Sequence, residues 1–264
     1  MEVVVCKSTD AAVKLTAALL ADAVKAKPDL VLGLATGRTM EAVYAELAEM
    51  CKNGLDFSLA KSFNLDEYIG LSGDNKNSYR YYMNHHLFNK INIDKRNTHL
   101  PNGMAKDHEA EGERYEQEIA DCGGVDIQLL GIGRDGHIGF NEPLSSLASR
   151  TRAKSLTKET YEQNSPLFGK DEVMPMSAFT MGVGTILDSD RVILLATGAE
   201  KAEIIAKAVE GPVTSMISAS ALQMHRKAVV IVDEEAAAKL TLRDYYDWVF
   251  EKEAKWAPYH NIAK

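Results

Sequence analysis

The chain is 264 residues long, 45% hydrophobic and 26% charged, with 30 Lys and Arg against 38 Asp and Glu for a formal net charge of −8. That length and composition suffice to bury a globular core, and the acidic balance argues against a nucleic-acid partner, since phosphate backbones select basic faces. No apolar run approaches the roughly 20 residues of a membrane helix, the opening MEVVVCKSTD reads as a strand rather than a signal peptide, and Cys6, Cys51 and Cys122 form neither a CxxC nor an even disulfide set, so the expectation is a cytoplasmic protein with reduced thiols and no membrane partner.

Continuously apolar runs at residues 3–6, 30–35, 62–65, 127–132, 192–197 and 228–232 fit parallel strands covered on both faces. Apolar residues recur at helical spacing over residues 10–25 and 39–52. Residues 107–120 form a charged amphipathic stretch, and residues 199–209 are rich in Ala, Ile and Lys. Residues 234–256 read as a closing helix that packs back through Tyr246, Trp248 and Val249. This alternation predicts an α/β fold, one domain over residues 1–264 with a doubly wound, mostly parallel, Rossmann-like sheet. Residues 145–179 lack strand character and carry Pro166, Gly169 and Pro175. Long irregular stretches in compact domains are usually functional, so a helical lid is expected at about residues 155–176.

Ligands of such sheets sit beyond the carboxyl ends of the strands, and three polar segments fall there. ATGRTM, residues 35–40, is a small-residue turn between a strand and a helix. Its backbone N–H groups at Gly37, the Thr36 and Thr39 hydroxyls and the Arg38 charge suit an anion. It has neither the GxxxxGK[ST] nor the GxGxxG spacing, and an N-capping turn with Thr39 as cap explains the same residues. NLDEYIGL, residues 64–71, ends an apolar strand in two adjacent carboxylates. Strand alternation turns one of Asp66 and Glu67 toward the crevice, where a carboxylate can act as a base, and the other away; a turn cap is the plainer alternative.

The third segment, GIGRDGHIGFNEP at residues 131–143, carries the most chemistry. Four glycines free the backbone just after a strand, and His137 stands between Asp135 and Glu142. Flanking carboxylates orient an imidazole and stabilise its charged form, which makes an acid/base unit. The same three residues could ligate a divalent ion, but the loop has no second His, so no metal is expected. His85 and His86 are adjacent on a helical stretch, cannot share a face and read as structural. Lys201 opens a helix after the fifth strand, where with Gly198 it offers a second anion site or is simply exposed.

Assembled, LGLATG, FNLDEYIGLSGDNKNSY, LPNG, GIGRDGHIGFNEPLSSLASRTR, MGVGT and KAVEGPV closely resemble the glucosamine-6-phosphate deaminase family over most of the length. The related sugar lactonases share a GxDGH loop without the IGFNEP continuation. The resemblance implies a cofactor-free enzyme that opens the ring of glucosamine 6-phosphate, moves a proton between C2 and C1 and releases ammonia to give fructose 6-phosphate. It implies Asp66 as the C2/C1 proton carrier and His137 as the ring-opening acid/base, with Asp135 and Glu142 tuning it. Lys201 and the turn Thr36, Gly37, Arg38 and Thr39 would hold the phosphate. The family typically grips that phosphate with an Arg after the lid's Asn-Ser. Here Asn164-Ser165 is followed by Pro166, while Arg38 stands where the family has a small residue, so Arg38 is expected to replace the missing guanidinium. Allosteric members are hexamers that bind N-acetylglucosamine 6-phosphate between subunits. The matching positions are Ser145, Arg152 and Lys154, with Tyr245 across a one-residue gap, so a homo-oligomer with this effector is expected; a solvated charged face is the alternative. The rival functions are a galactosamine-6-phosphate deaminase, a 6-phosphogluconolactonase-like hydrolase and a non-catalytic sugar-phosphate sensor.

Overall fold

A computed structural model describes residues 1–169 and 172–264. In chain order they form β1 (Glu2–Cys6), α1 (Thr9–Ala26), β2 (Val31–Leu34), α2 (Arg38–Lys52), β3 (Lys61–Asn64), β4 (Asp66–Tyr68), α3 (Tyr79–Met83), β5 (Thr98–His99), α4 (His108–Asp121), β6 (Ile127–Leu130), β7 (Arg152–Ser155), α5 (Lys158–Asn164), β8 (Ser177–Thr180), α6 (Val183–Leu187), β9 (Arg191–Ala196), α7 (Ala202–Glu210), β10 (Ala228–Asp233), α8 (Arg243–Lys252) and α9 (His260–Ala263). Seven strands make one parallel sheet in the order β1-β10-β9-β6-β2-β3-β5. Every residue of β2, β6 and β10 is buried. Because successive side chains point to opposite faces, both faces of the sheet are covered. This is the doubly wound architecture that the apolar runs predict, with all six expected strands within two residues of their expected ends. No helix among the described residues is long and apolar enough to cross a membrane.

The helices start where their sequences supply caps. Ser8 Oγ accepts from Ala11 N at 3.2 Å to open α1, and Asp107 accepts from Ala110 N at 3.0 Å to open α4. The C-terminal expectation needs correction. Residues 234–256 are not one helix, because side chains hold the chain off helical geometry before Arg243. Asp233 takes the Ala236 N–H, and Glu210 takes the Thr241 and Leu242 N–H groups. Tyr246 is buried as expected, but Trp248 is 62% exposed with Lys252 over its ring, and Trp256 is the aromatic that packs inward.

Residues 145–179 also differ from expectation. They contain β7 and end in β8, which with β4 form a second, antiparallel sheet in the order β4-β8-β7. β7 reads RAKS and is only partly buried, so neither hydrophobicity nor alternation marks it. The expected lid holds α5 and a 3-10 turn at Ser165–Leu167; its residues 170 and 171 lie outside the described residues.

The small sheet is tied to the loop before it by a close backbone approach. A Cβ on Gly182 would stand 1.9 Å from Ser149 O and 2.5 Å from Arg150 N. That backbone cannot retreat freely, because Ser149 accepts from Val183 N and Gly184 N. Gly182→Ala is expected to cost about 1–3 kcal/mol or more by forced displacement, measured as a fall in the urea midpoint at unchanged m-value.

Candidate active site

The strand order reverses at β2, whose neighbours are β3 on one side and β6 on the other. A crevice of about 460 Å³ opens at this switch point, over the carboxyl ends of β2, β6 and β9. All three polar segments reach it. Thr36, Gly37, Arg38 and Thr39 line it from β2, Asp66 from the end of β3, His137 from the loop after β6, and Lys201 from beyond β9. Arg134, Tyr68, Tyr79, Asn164 and Phe168 line it too. Sequence reasoning passed over these five, although Arg134 lies inside the segment it singled out.

The anion turn is built on Gly37, whose φ of 120° is open to glycine. α2 begins at the next residue, and no side chain caps it. Thr39 is therefore inside the first turn rather than its cap, and the leading N–H groups remain available at the positive end of the helix dipole. Arg38 is exposed here and pairs with no carboxylate among the described residues. Lys201 Nζ donates to Ile132 O at 2.8 Å, which aims the ammonium at the same end of the crevice. Burial lowers its pKa, and the Arg134 and Arg38 charges push the same way. Gly198 adds no free N–H, because Asp233 accepts it through both oxygens at 3.0 and 3.1 Å.

At Leu65 the chain leaves the parallel sheet: Leu65 N donates to Leu34 O, and Leu65 O accepts from Met181 N. Asp66 then opens β4 opposite Thr180. Its carboxyl is only 6% exposed. Burial, reinforced by the Glu67 charge and opposed by His137, raises its pKa to about 8. Glu67 turns the other way, as alternation requires. Its Oε1 accepts from Tyr68 N and Tyr79 N and its Oε2 from Arg80 N, all at 2.9 Å. Burial raises the Glu67 pKa to about 7 against the pull of these three N–H groups.

His137 lies flat against Gly133, where a Cβ would stand 2.5 Å from the ring. Its Nδ1 is 2.7 Å from Asp135 Oδ1 and 3.4 Å from Glu142 Oε2, which leaves Nε2 as the nitrogen for chemistry. Burial alone would favour the neutral ring, but the two carboxylates outweigh it and raise the pKa to about 9. Both carboxyls, resisting burial through the imidazolium, stay below their ordinary range. The loop is pinned to the small sheet by Phe140 N on Thr180 Oγ1 at 3.0 Å and by Asn141 Nδ2 on Met181 O at 2.8 Å. Ligand atoms of Asp135, His137 and Glu142 lie within 4.8 Å of one another, so the same trio has the donors for a divalent ion.

The remaining expected residues lie elsewhere. Arg152 and Lys154 sit two apart on β7, and Arg152 donates to Asn141 Oδ1 and Arg150 O. Ser145 is buried with an unpartnered hydroxyl. Tyr245 is exposed on α8, which packs on β1, and its ring neighbours Tyr246. His85 is exposed, and His86 packs against Tyr82. A larger, shallower groove of about 790 Å³ runs between α4 and β7. Its Glu116 is already bonded to Arg150, Thr151 and Thr185.

The site makes the ligand-free protein pH-sensitive. Asp66 is raised from its ordinary 3.8, so between about pH 4 and 8 the folded state keeps a proton that the unfolded chain releases. Its contribution therefore falls as pH rises through that window. The His137 contribution is full below its ordinary 6.5 and is lost as pH rises through about 9. Melting temperature is expected to be higher at pH 6 than at pH 9. Asp66→Asn, which removes the first loss, is expected to melt higher than wild type at pH 8, at about 2–4 °C per kcal/mol, with the gain vanishing near pH 4. Differential scanning calorimetry across pH checks both.

Residues 7–231 match the family described as glucosamine-6-phosphate isomerases/6-phosphogluconolactonase. Glucosamine-6-phosphate deaminases of Shewanella woodyi and Hahella chejuensis are each 51% identical, over 93% and 94% of this chain and 94% and 95% of theirs. A solved monomeric glucosamine-6-phosphate deaminase is 44% identical with a TM-score of 0.88, covering 90% of this chain and all of its own. The 6-phosphogluconolactonase of Trypanosoma cruzi, 20% identical with a TM-score of 0.74 over 91% of this chain and 97% of its own, shares the fold. The chain thus belongs to the glucosamine-6-phosphate isomerase/6-phosphogluconolactonase family.

Proposed function

We propose that the crevice converts glucosamine 6-phosphate and water to fructose 6-phosphate and ammonia, with no cofactor. The observation that carries this reading is the pairing of a buried, proton-retaining Asp66 with an imidazole held by two carboxylates, in one crevice with a cationic end. His137 gives its Nε2 proton to the ring oxygen and recovers one from the C1 hydroxyl, which opens the ring without net proton change. Asp66 takes the C2 proton and returns it to C1 while the C2 nitrogen gives up one proton and O1 gains one, so the aldehyde becomes an alcohol and C2 becomes an imine without net proton change. Water then adds at C2 and ammonia leaves.

A carboxyl with a pKa of about 8 is largely protonated in the empty crevice at neutral pH. The ammonium at C2 of an amino sugar supplies the countercharge that burial denies it, so substrate binding itself ionises the base. Proton transfer contributes roughly 10²–10⁴-fold, and the remainder must come from positioning. Arg38, Arg134 and Lys201 supply that grip at the phosphate end, with Arg38 replacing the guanidinium that Pro166 lacks. Residues 155–176 act as the lid, from which Asn164 and Phe168 reach the crevice. A cytoplasmic location fits the three free thiols.

An effector and a homo-oligomer form the outer part of the proposal. They rest on Arg152 and Lys154, which share a face of β7, and on the unpartnered hydroxyl of Ser145; the monomeric solved relative weighs against the oligomer. A monomer in sedimentation with a hyperbolic rate curve indifferent to N-acetylglucosamine 6-phosphate would remove this part.

Ammonia release is the central assay. Wild type is expected to act on glucosamine 6-phosphate, with galactosamine 6-phosphate and 6-phosphogluconolactone as rival substrates. Asp66→Asn and His137→Gln are each expected to lose ~10²–10⁴-fold in kcat. Binding without turnover would support a sensor instead. Arg38→Ala is expected to raise KM by ~10-fold or more at little change in kcat, as for a charge-assisted contact to phosphate; an unchanged KM sinks the swap.

A further inference from the structure

We infer that Glu67 is a positioning residue for Asp66: clamped by three backbone N–H groups, its carboxylate fixes the crevice wall at residues 78–80 and holds a negative charge beside the reacting carboxyl. This rests on the reading of Asp66 as the proton carrier.

Glu67 is 2% exposed and makes no ion pair among the described residues. The nearest cation, Arg80, spends its guanidinium on Thr98, donating to Oγ1 and to the carbonyl at 2.8 Å each. Among the described residues, the main-chain N–H groups of Tyr68, Tyr79 and Arg80 are what solvates the carboxylate. Three such donors oppose, without overcoming, the burial that raises its pKa to about 7, so the carboxylate is ionised from about neutral pH upward. The backbone around it is closely packed: a Cβ on Gly103 would stand 2.4 Å from Tyr68 O and 3.3 Å from Glu67 Cγ.

The clamp has two consequences for the crevice. It fixes Tyr79, whose ring stacks on Phe140 at 6.2 Å and whose hydroxyl meets that of Tyr68 at 3.3 Å. It also sets the charge around Asp66. The titratable groups that face Asp66 are Glu67 on its own strand, His137 from the loop after β6, and the hydroxyls of Tyr44, Tyr68, Tyr79 and Tyr115, which burial keeps neutral. Glu67 in turn faces Asp66, Tyr68 and Arg80. Once ionised, Glu67 adds to burial, which is the larger cause, in keeping the Asp66 proton affinity high. A proton carrier must release what it takes, and a carboxylate without that neighbour binds the C2 proton more weakly.

The test is the pH dependence of kcat/KM for ammonia release from glucosamine 6-phosphate in wild type, Glu67→Gln and Glu67→Asp. Glu67→Gln is expected to move the limb assigned by Asp66→Asn acid-ward by about one pH unit or more. Its kcat should fall ~10- to 100-fold through the misplaced wall, with KM changing less. Glu67→Asp keeps the charge and is expected to leave the limb in place while losing kcat. A folded Glu67→Gln with an unmoved limb, or a Glu67→Asp limb displaced as far as that of Glu67→Gln, overturns the inference. Should Glu67→Gln not fold, the Glu67→Asp limb decides alone. An inactive wild type sinks the functional reading and this one together, whereas an active wild type with an unmoved limb sinks only this one.

Discussion

Two adjacent buried carboxylates at the mouth of a parallel sheet are the constraint around which this molecule is arranged. Removing Asp66 and Glu67 from water is costly unless each charge is neutralised or solvated by the protein. The fold answers the two differently. Glu67 is solvated by backbone N–H groups, which are fixed by the chain itself. Asp66 has no hydrogen-bonding cation among the described residues and instead holds its proton. That asymmetry needs β4 to leave the main sheet after a single intervening residue, so that neighbouring side chains face a crevice and a clamp. The small antiparallel sheet exists at this place because Asp66 pairs with Thr180, and Thr180 in turn accepts from the backbone of the histidine loop.

The histidine loop solves the opposite problem. His137 carries positive charge in a site that burial would keep neutral, and two carboxylates on one ring nitrogen hold it there. Asp66 and His137 are therefore both kept protonated in the empty enzyme by different physics, one by desolvation and one by ion pairing. A ligand that brings its own cation next to Asp66 changes the first without touching the second. An amino sugar does this and a neutral hydroxy sugar does not, so the electrostatics of the empty crevice already favour the amine.

Much of this was legible in the sequence, for identifiable reasons. The buried strands are continuously apolar, and period alone locates them. The three polar segments stand out because each follows such a strand. Opposite facing of Asp66 and Glu67 follows from alternation, although which of them turns inward does not. What escaped was decided by side chain on backbone. Glu210 and Asp233 delay the start of α8 by taking the N–H groups of residues that precede it, and Gly37 rather than Thr39 stands before α2. β7 is polar along its length and becomes a strand only by pairing with β8. Arg134 sat in plain view inside the histidine segment, yet its place in the crevice depends on its proximity to Lys201, which no local pattern encodes.

The Trypanosoma cruzi 6-phosphogluconolactonase shares this fold at 20% identity, and a fold by itself does not select a chemistry. Hydrolysing a lactone requires an activated water and stabilisation of a developing oxyanion; no carbon-bound proton moves. Such a reaction gains nothing from a buried carboxyl held near pH 8, and stability argues against keeping one. Moving a proton from C2 to C1 requires a group that binds it and gives it back, and a proton affinity near the working pH balances the two. The proton affinity of Asp66 is set by burial and by its neighbour Glu67, so the local placement of β4 rather than the shared scaffold is what would suit the crevice to a carbon proton transfer.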